Sequence, residues 1–325
     1  MKNRPSSRRA SPAAKRPASG VSRKSVPTLS ALHPAAARWI GALIRMTAPH
    51  PAMTRILDVI ERLQERPFPT NVMLLGEPGT GKEGLARALH HLISPDAPLV
   101  RLDVANFPER EALLRLCGDG KHPGAAQRAD GGALLIEEVA GLAPLVQEAL
   151  LRILKSGVIE PVDTVNGVSN GAGGENGHRR RLRVRAIVMS DRDLAAEVAA
   201  GRFRHDLYYR LARVVLWLPP LRERPEDIAP AALWMGNRIL REAGLDLELM
   251  SGEQLQRATP DERSAALELD SSAVRELEEH SWPGNLRELE AVLERALLLF
   301  RKSSVVGAAA IRAALGNEAP RPIGH

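Results

Sequence analysis

Between residues 48 and 217, short apolar runs alternate with stretches of helical periodicity. The runs are NVMLLG (71–76), PLVRLDV (98–104), GGALLIEEV (131–139), VRAIVMS (184–190) and VVLWLPP (214–220). Most are continuously apolar rather than alternating, as strands covered on both faces are. Five such runs with helices between them predict an α/β fold on a parallel sheet. LPPLRERPEDI (218–228) reads as a hinge. Beyond it the pattern is helical to residue 315 without a strand signal, which predicts a small all-α second domain.

Three stretches depart from that pattern. Residues 1–34 are rich in Ser, Pro, Ala and Arg, a disordered composition, although HPAAARWIGALIRM (33–46) could start a helix. NGVSNGAGGENG (166–177), followed by RRRLR (179–183), and the polar SGEQLQRATPDERSAALELD (251–270) read as loops or insertions. The expected division is a basic tail over 1–34, an α/β nucleotide-binding domain over 35–222, a helical lid over 223–315 and a flexible tail over 316–325.

Charge sharpens the picture at the N-terminus. Residues 1–57 hold eleven of the 45 Lys and Arg and no Asp or Glu, so the rest of the chain is net acidic. Such an arm can touch nucleic acid non-specifically; a solvated leader is the plainer reading. The arginines of 179–183 carry the same two readings. The single cysteine, Cys117, excludes an internal disulfide and a cysteine-based metal cluster, which suits a reducing cytoplasm. No apolar run reaches membrane-spanning length, and the N-terminus lacks the apolar core of a secretory signal.

The chemistry is concentrated in two places. GEPGTGK (76–82) matches G-x-x-x-x-G-K directly after an apolar run and before the helical EGLARALHHL. That strand–loop–helix setting is what a phosphate loop requires. Gly76, Gly79 and Gly81 let the loop wrap, with Glu77, Pro78 and Thr80 between them. Its N–H groups and the following helix N-terminus then face an anion. Lys82 would reach the β and γ phosphates of a nucleoside triphosphate. Glu83 stands where Ser or Thr usually follows the lysine. The second place is ALLIEE (133–138), where two acids end an apolar strand. A triphosphate brings Mg2+, which prefers carboxylate and water oxygens. Strand alternation predicts Glu137 and Glu138 on opposite sides. One can hold the metal shell while the other polarises the attacking water.

With these motifs and GRFRHDLYYRL (201–211), LPPLRERPEDI (218–228) and SWPGNLREL (281–289), residues 48–315 resemble the central AAA+ domain of the sigma-54-dependent transcriptional activators. The resemblance implies an ATPase using ATP and Mg2+, with Glu137 at the metal and Glu138 at the water. Glu83 is in keeping with that family. Arg204 and Arg210 match its arginine-finger positions, which act on a neighbouring subunit's nucleotide and so imply a ring, expected to be a hexamer. Arg287 matches the arginine that senses nucleotide from the lid, and MSDRDL (189–194) the first sensor segment. Implied partners are further copies of the chain, related activators and sigma-54 RNA polymerase. None of this implies contact with a membrane.

The chain also departs from the family pattern. Between LCG (116–118) and ADGG (129–132) the family carries a longer loop with the signature GAFTGA, which touches the sigma factor; here only Asp119 to Arg128 fill the gap. CGDGKHPGAAQ (117–127) therefore reads as a shortened connector. Glu137 stands in place of Asp, extending the carboxylate by about 1.5 Å. Asp103 replaces an Asn that restrains the catalytic Glu, and would repel Glu138. Asp191 replaces a sensor Asn. All three changes point toward weakened or retuned hydrolysis with nucleotide binding intact. An alternative follows, a hydrolysis-impaired nucleotide-binding protein that modulates other activators. The chain shows neither a receiver ahead of residue 48 nor a helix-turn-helix after 315, so specific enhancer binding is not expected of it alone.

Overall fold

The computed structural model describes residues 51–65, 70–104, 106–159, 181–299 and 304–316. The expectations for the basic tail, the helix over 33–46, the glycine-rich segment, residues 179 and 180 of the arginine cluster and the stretch after 316 lie outside those residues.

The five apolar runs form five parallel strands: β1 (Val72–Leu75), β2 (Leu99–Leu102), β3 (Ala133–Ile136), β4 (Arg185–Ser190) and β5 (Val214–Trp217). Their order is β2-β3-β4-β1-β5, so β3, β4 and β1 lie inside while β2 and β5 form the edges. All six residues of β4 are buried. Helices cover both faces, as parallel connections require. On one face, α1 (Pro51–Glu65) and α2 (Lys82–Ile93) supply Met53, Ile56, Leu85 and Leu89 against Leu74, Leu135 and Ile187. On the other, α3 (Glu109–Cys117), α4 (Ala125–Arg128), α5 (Pro144–Ser156), α6 (Leu194–Ala199) and α7 (His205–Leu211) contribute to a core with Met73, Leu134, Ile136 and Val188.

A separate core begins at Leu221. It includes Trp282, Leu289 and Ile311 and gathers α8 (Ile228–Glu242), α11 (Ser271–Glu279), α12 (Asn285–Leu299) and α13 (Ala308–Gly316). The expectation of an all-α lid needs correction. β6 (Glu248–Ser251), β7 (Ala266–Leu269) and β8 (Val305–Val306) make a small parallel sheet in that order. Strands of four residues or fewer show too little alternation to stand out from helical periodicity. The polar stretch 251–270 is ordered as well. Ser251 with Gln254 and Thr259 with Glu262 form capping boxes that open α9 (Gly252–Arg257) and α10 (Pro260–Ser264). No helix among the described residues is long and apolar enough to cross a membrane.

The connector 118–124 is a closed turn. Gly118 bridges Pro123, and the Asp119 carboxylate accepts the Lys121 and His122 amides at 2.9 and 2.5 Å. The His122 ring lies 3.0 Å from the same carboxylate. A Cβ on Gly124 would meet the Gly118 nitrogen at 2.4 Å, so the two arms touch backbone to backbone.

At the far end of the sheet, buried His90 places Nε2 2.9 Å from the Ala97 carbonyl and Nδ1 3.4 Å from the buried Arg185 guanidinium. The neutral ring satisfies both by donating at Nε2 and accepting at Nδ1. Burial above all, and then the Arg185 charge, lower its pKa. A depressed histidine adds stability that is present above its ordinary pKa and lost as pH falls. Denaturant unfolding should thus show stability falling between pH 7 and pH 5 through this ring. His90→Gln should flatten that dependence; an unchanged pH slope would assign it to other groups.

Candidate functional site

The chain leaves β1 and wraps through residues 76–81 before α2 starts at Lys82. Gly79 and Gly81 have φ of 77° and 102°, the left-handed region that favours glycine. A Cβ on Gly76 would meet the Leu218 carbonyl at 2.6 Å, and one on Gly79 the Gly284 carbonyl at 2.3 Å. The Lys82 amine donates to the carbonyls of Gly76 at 2.5 Å and Glu77 at 2.9 Å. Thr80 is buried and its hydroxyl donates to the Glu77 carbonyl at 2.8 Å, so it shapes the loop instead of facing a ligand.

A cleft of about 280 Å³ opens beside this loop. Pro78, Gly79, Gly81, Lys82 and Glu83 form one wall with Glu137, Glu138 and Met189. Trp234, Met235, Arg238, Leu286, Arg287 and Glu290 form the other, from α8 and α12. Arg238 pairs with Glu290 and lies over the Trp234 ring, 5.2 Å from its centroid. Arg287 is a sequence candidate; the other five escaped sequence reasoning because they sit in ordinary helical periodicity.

Glu137 and Glu138 line the same cleft, contrary to the expectation of opposite sides. The strand ends at Ile136, and Glu138 turns the chain with a φ of 47°, a conformation uncommon outside glycine. Burial raises the Glu138 pKa to about 7, helped by a hydrogen bond with Asp191 and by that residue's charge; Lys82 opposes. Two carboxyls that share a hydrogen bond need one proton between them. Burial raises the pKa of Glu137, the Arg101 charge lowers it, and the charges of Glu83 and Asp103 add to the rise. Burial lowers the Lys82 pKa, against the charges of Glu138 and Asp191.

Glu77 turns away from the cleft. Both its oxygens are held by Arg222, at 2.8 and 2.6 Å, and Asn285 adds a third donor at 3.2 Å. The Arg222 bond comes first among the causes that lower its pKa to about 2. Asn285 also donates to the Pro78 carbonyl at 3.0 Å and accepts the Leu221 amide at 2.7 Å. The Leu286 amide donates to the Gly79 carbonyl at 3.0 Å. The lid thus rests directly on the phosphate loop. Arg287, next along α12, lines the cleft and bears electrostatically on Lys82.

The two remaining sequence candidates do not line this cleft. Arg204 is exposed, forked onto Asp206 at 3.1 and 3.0 Å, with its amide held by the buried Gln147 side chain at 2.8 Å. Arg210 is partly buried and donates twice to the Leu154 carbonyl, at 3.2 and 2.6 Å.

The donor set fits a triphosphate with Mg2+. No group of three His, Cys, Asp or Glu among the described residues could hold a metal alone, and Mg2+ is commonly held by one or two carboxylates with phosphate and water. Glu137 offers a hard oxygen donor there. The Lys82 ammonium, now on backbone carbonyls, is the cation a phosphate would draw.

The description "Sigma-54 interaction domain" matches residues 46–217 and "AAA+ ATPase lid domain" matches 241–323. The Nif-specific regulatory protein of Azotobacter vinelandii is 35% identical over 281 residues, 83% of this chain and 47% of its own. The response regulator protein FleR of Pseudomonas aeruginosa is 35% identical over 260 residues, 77% of this chain and 48% of its own. The chain thus spans about half the length of these relatives. Among solved structures, NtrX of Brucella abortus in complex with ATP shares 29% identity at a TM-score of 0.66, over 86% of this chain and 56% of that one. Its ADP complex also gives 0.66, at 28% identity over 88% of this chain and 58% of that one. With the phosphate loop, paired carboxylates and resting lid all in place, the chain belongs to the sigma-54 interaction domain family and carries an AAA+ lid.

Proposed function

We propose that the chain binds ATP with Mg2+ in this cleft, hydrolyses it as one subunit of a ring, and acts in the regulation of transcription. The convergence of Lys82, Glu137, Glu138 and Arg287 on one cleft carries the reading. Lys82 would exchange two backbone carbonyls for phosphate oxygens. Mg2+ bound at Glu137 would neutralise charge on the β and γ phosphates. Glu138, once deprotonated, would orient and polarise the attacking water. Arg287 would report occupancy to the lid. Arg204 and Arg210 lie away from this cleft, which suits a role at a neighbouring subunit's γ-phosphate. The ATP and ADP complexes of NtrX support the nucleotide assignment.

One observation favours a second reading, a nucleotide-binding protein with weak hydrolysis that works through mixed rings with related activators. Burial, and then Asp191, keep Glu138 partly protonated near neutrality, where a general base must be ionised. The closed turn 118–124 extends the departure to the sigma factor. It offers no reaching arm, so the chain is not expected to remodel sigma-54 RNA polymerase in the family's usual way. Open-complex formation by the isolated chain with that polymerase would refute this.

Lys82→Ala should abolish ATP binding in a calorimetric titration; unchanged affinity would refute the site. Turnover per subunit should rise with protein concentration, and Arg204→Ala and Arg210→Ala should remove that rise if the site is completed across a ring interface. Tight binding without turnover at any concentration would select the second reading.

Hydrolysis should increase as pH rises through about 7, where Glu138 ionises. Asp191→Asn supplies an amide donor and removes the Asp191 contribution while burial remains, so it should raise turnover at pH 6 by about threefold. Stability follows the opposite sign. A raised acid pKa means that stability present below the ordinary Glu value is lost as pH rises through the folded one. Glu138→Gln should therefore be more stable than the parent at pH 8 and equal to it at pH 5. A constant difference across that range would separate the effect from ionisation.

A further inference from the structure

Glu137 already has a cationic partner. Arg101 lies on β2, an edge strand, and pairs in register with Leu135, two residues before Glu137. Arg101 Nε is 2.6 Å from Glu137 Oε1, and its Nη2 donates to Oε2 at 3.2 Å. Its Nη1 is 3.5 Å from Glu83 Oε1. One guanidinium thus joins both carboxylates that follow the phosphate loop and the acidic strand.

This pairing competes with a metal for Glu137. Mg2+ requires near-ideal octahedral geometry, and the guanidinium beside both oxygens already shares the charge and lone pairs that the ion would use. The pair is able to open, since the Arg101 side chain is 49% exposed. Arg101 also borders a second depression beside the turn 118–124, lined by Asp103 and Arg128 and by the Arg115–Glu111 and His122–Asp119 pairs. A displaced side chain has room there, beside Asp103.

We propose that Arg101 is the resident counter-ion of Glu137 and that the divalent cation arriving with nucleotide must displace it. Arg101 then sets the Mg2+ concentration at which the site fills. The proposal rests on the reading of Glu137 as the metal carboxylate. It makes Arg101 a positioning residue whose orientation follows the occupancy of the cleft.

The test is a Mg2+ titration of the whole chain with a fluorescent methylanthraniloyl ADP, comparing the parent with Arg101→Gln, Arg101→Lys and Glu137→Gln. Binding rather than turnover is the readout. Arg101→Gln should lower the half-saturating Mg2+ concentration about fivefold, the upper range for a half-exposed charge pair. Arg101→Lys, which keeps the charge without the fork, should fall between that variant and the parent. Glu137→Gln should raise the half-saturating concentration. An unchanged or raised value for Arg101→Gln, with Glu137→Gln still raising it, would overturn the displacement while leaving Glu137 at the metal. No change for Glu137→Gln would remove that assignment and the proposal with it.

Discussion

The site depends on a backbone contact between two parts of the chain distant in sequence. The Leu286 amide bonds to the Gly79 carbonyl, and the Gly284 carbonyl occupies the space that any side chain at position 79 would need. Asn285, with a φ of 53°, aims its amide at the same loop. The phosphate loop therefore has the lid, as well as its own strand and helix, to hold its shape. Without that contact the cleft would lose the wall supplied by α8 and α12. A residue with a side chain at position 79 would have to push the lid off before it could be accommodated.

Around this contact the charges are arranged unequally. Glu77 is ionised firmly because three donors converge on it, whereas Glu138 sits near neutrality because burial and Asp191 both disfavour its charge. Two acids of one motif-bearing site thus differ by several pH units for reasons of environment alone. Paired titratable groups held apart in this way are frequent at catalytic centres.

The nucleotide fold was legible because its strands are continuous apolar runs and its phosphate loop is a contiguous motif. The small sheet was not, since β6, β7 and β8 gain their identity only by pairing with one another. The capping boxes at Ser251 and Thr259 were present as Ser-x-x-Gln and Thr-x-x-Glu but were hidden in a polar stretch that read as loop. Glu77 meets Arg222 across 145 residues and Asn285 across 208, distances over which no local pattern carries information. The strand rule misplaced Glu137 and Glu138 because it was applied one turn beyond the end of β3.

The segment read as a hinge contains a buried ion pair. Arg224 is 1% exposed, donates to the Thr80 carbonyl at 3.0 Å and faces Asp227, fully buried, at 3.6 Å. It also reaches the Met53 sulfur of α1 at 3.6 Å. Removing one member of such a pair costs about 3–5 kcal/mol, because the other stays buried and charged. A fragment cut at the end of β5 would lose this arginine and expose the underside of its own phosphate loop. The two halves are therefore poor units for exchange between proteins. Recombination that separated them would break the loop as surely as a mutation within it, so they are best inherited together.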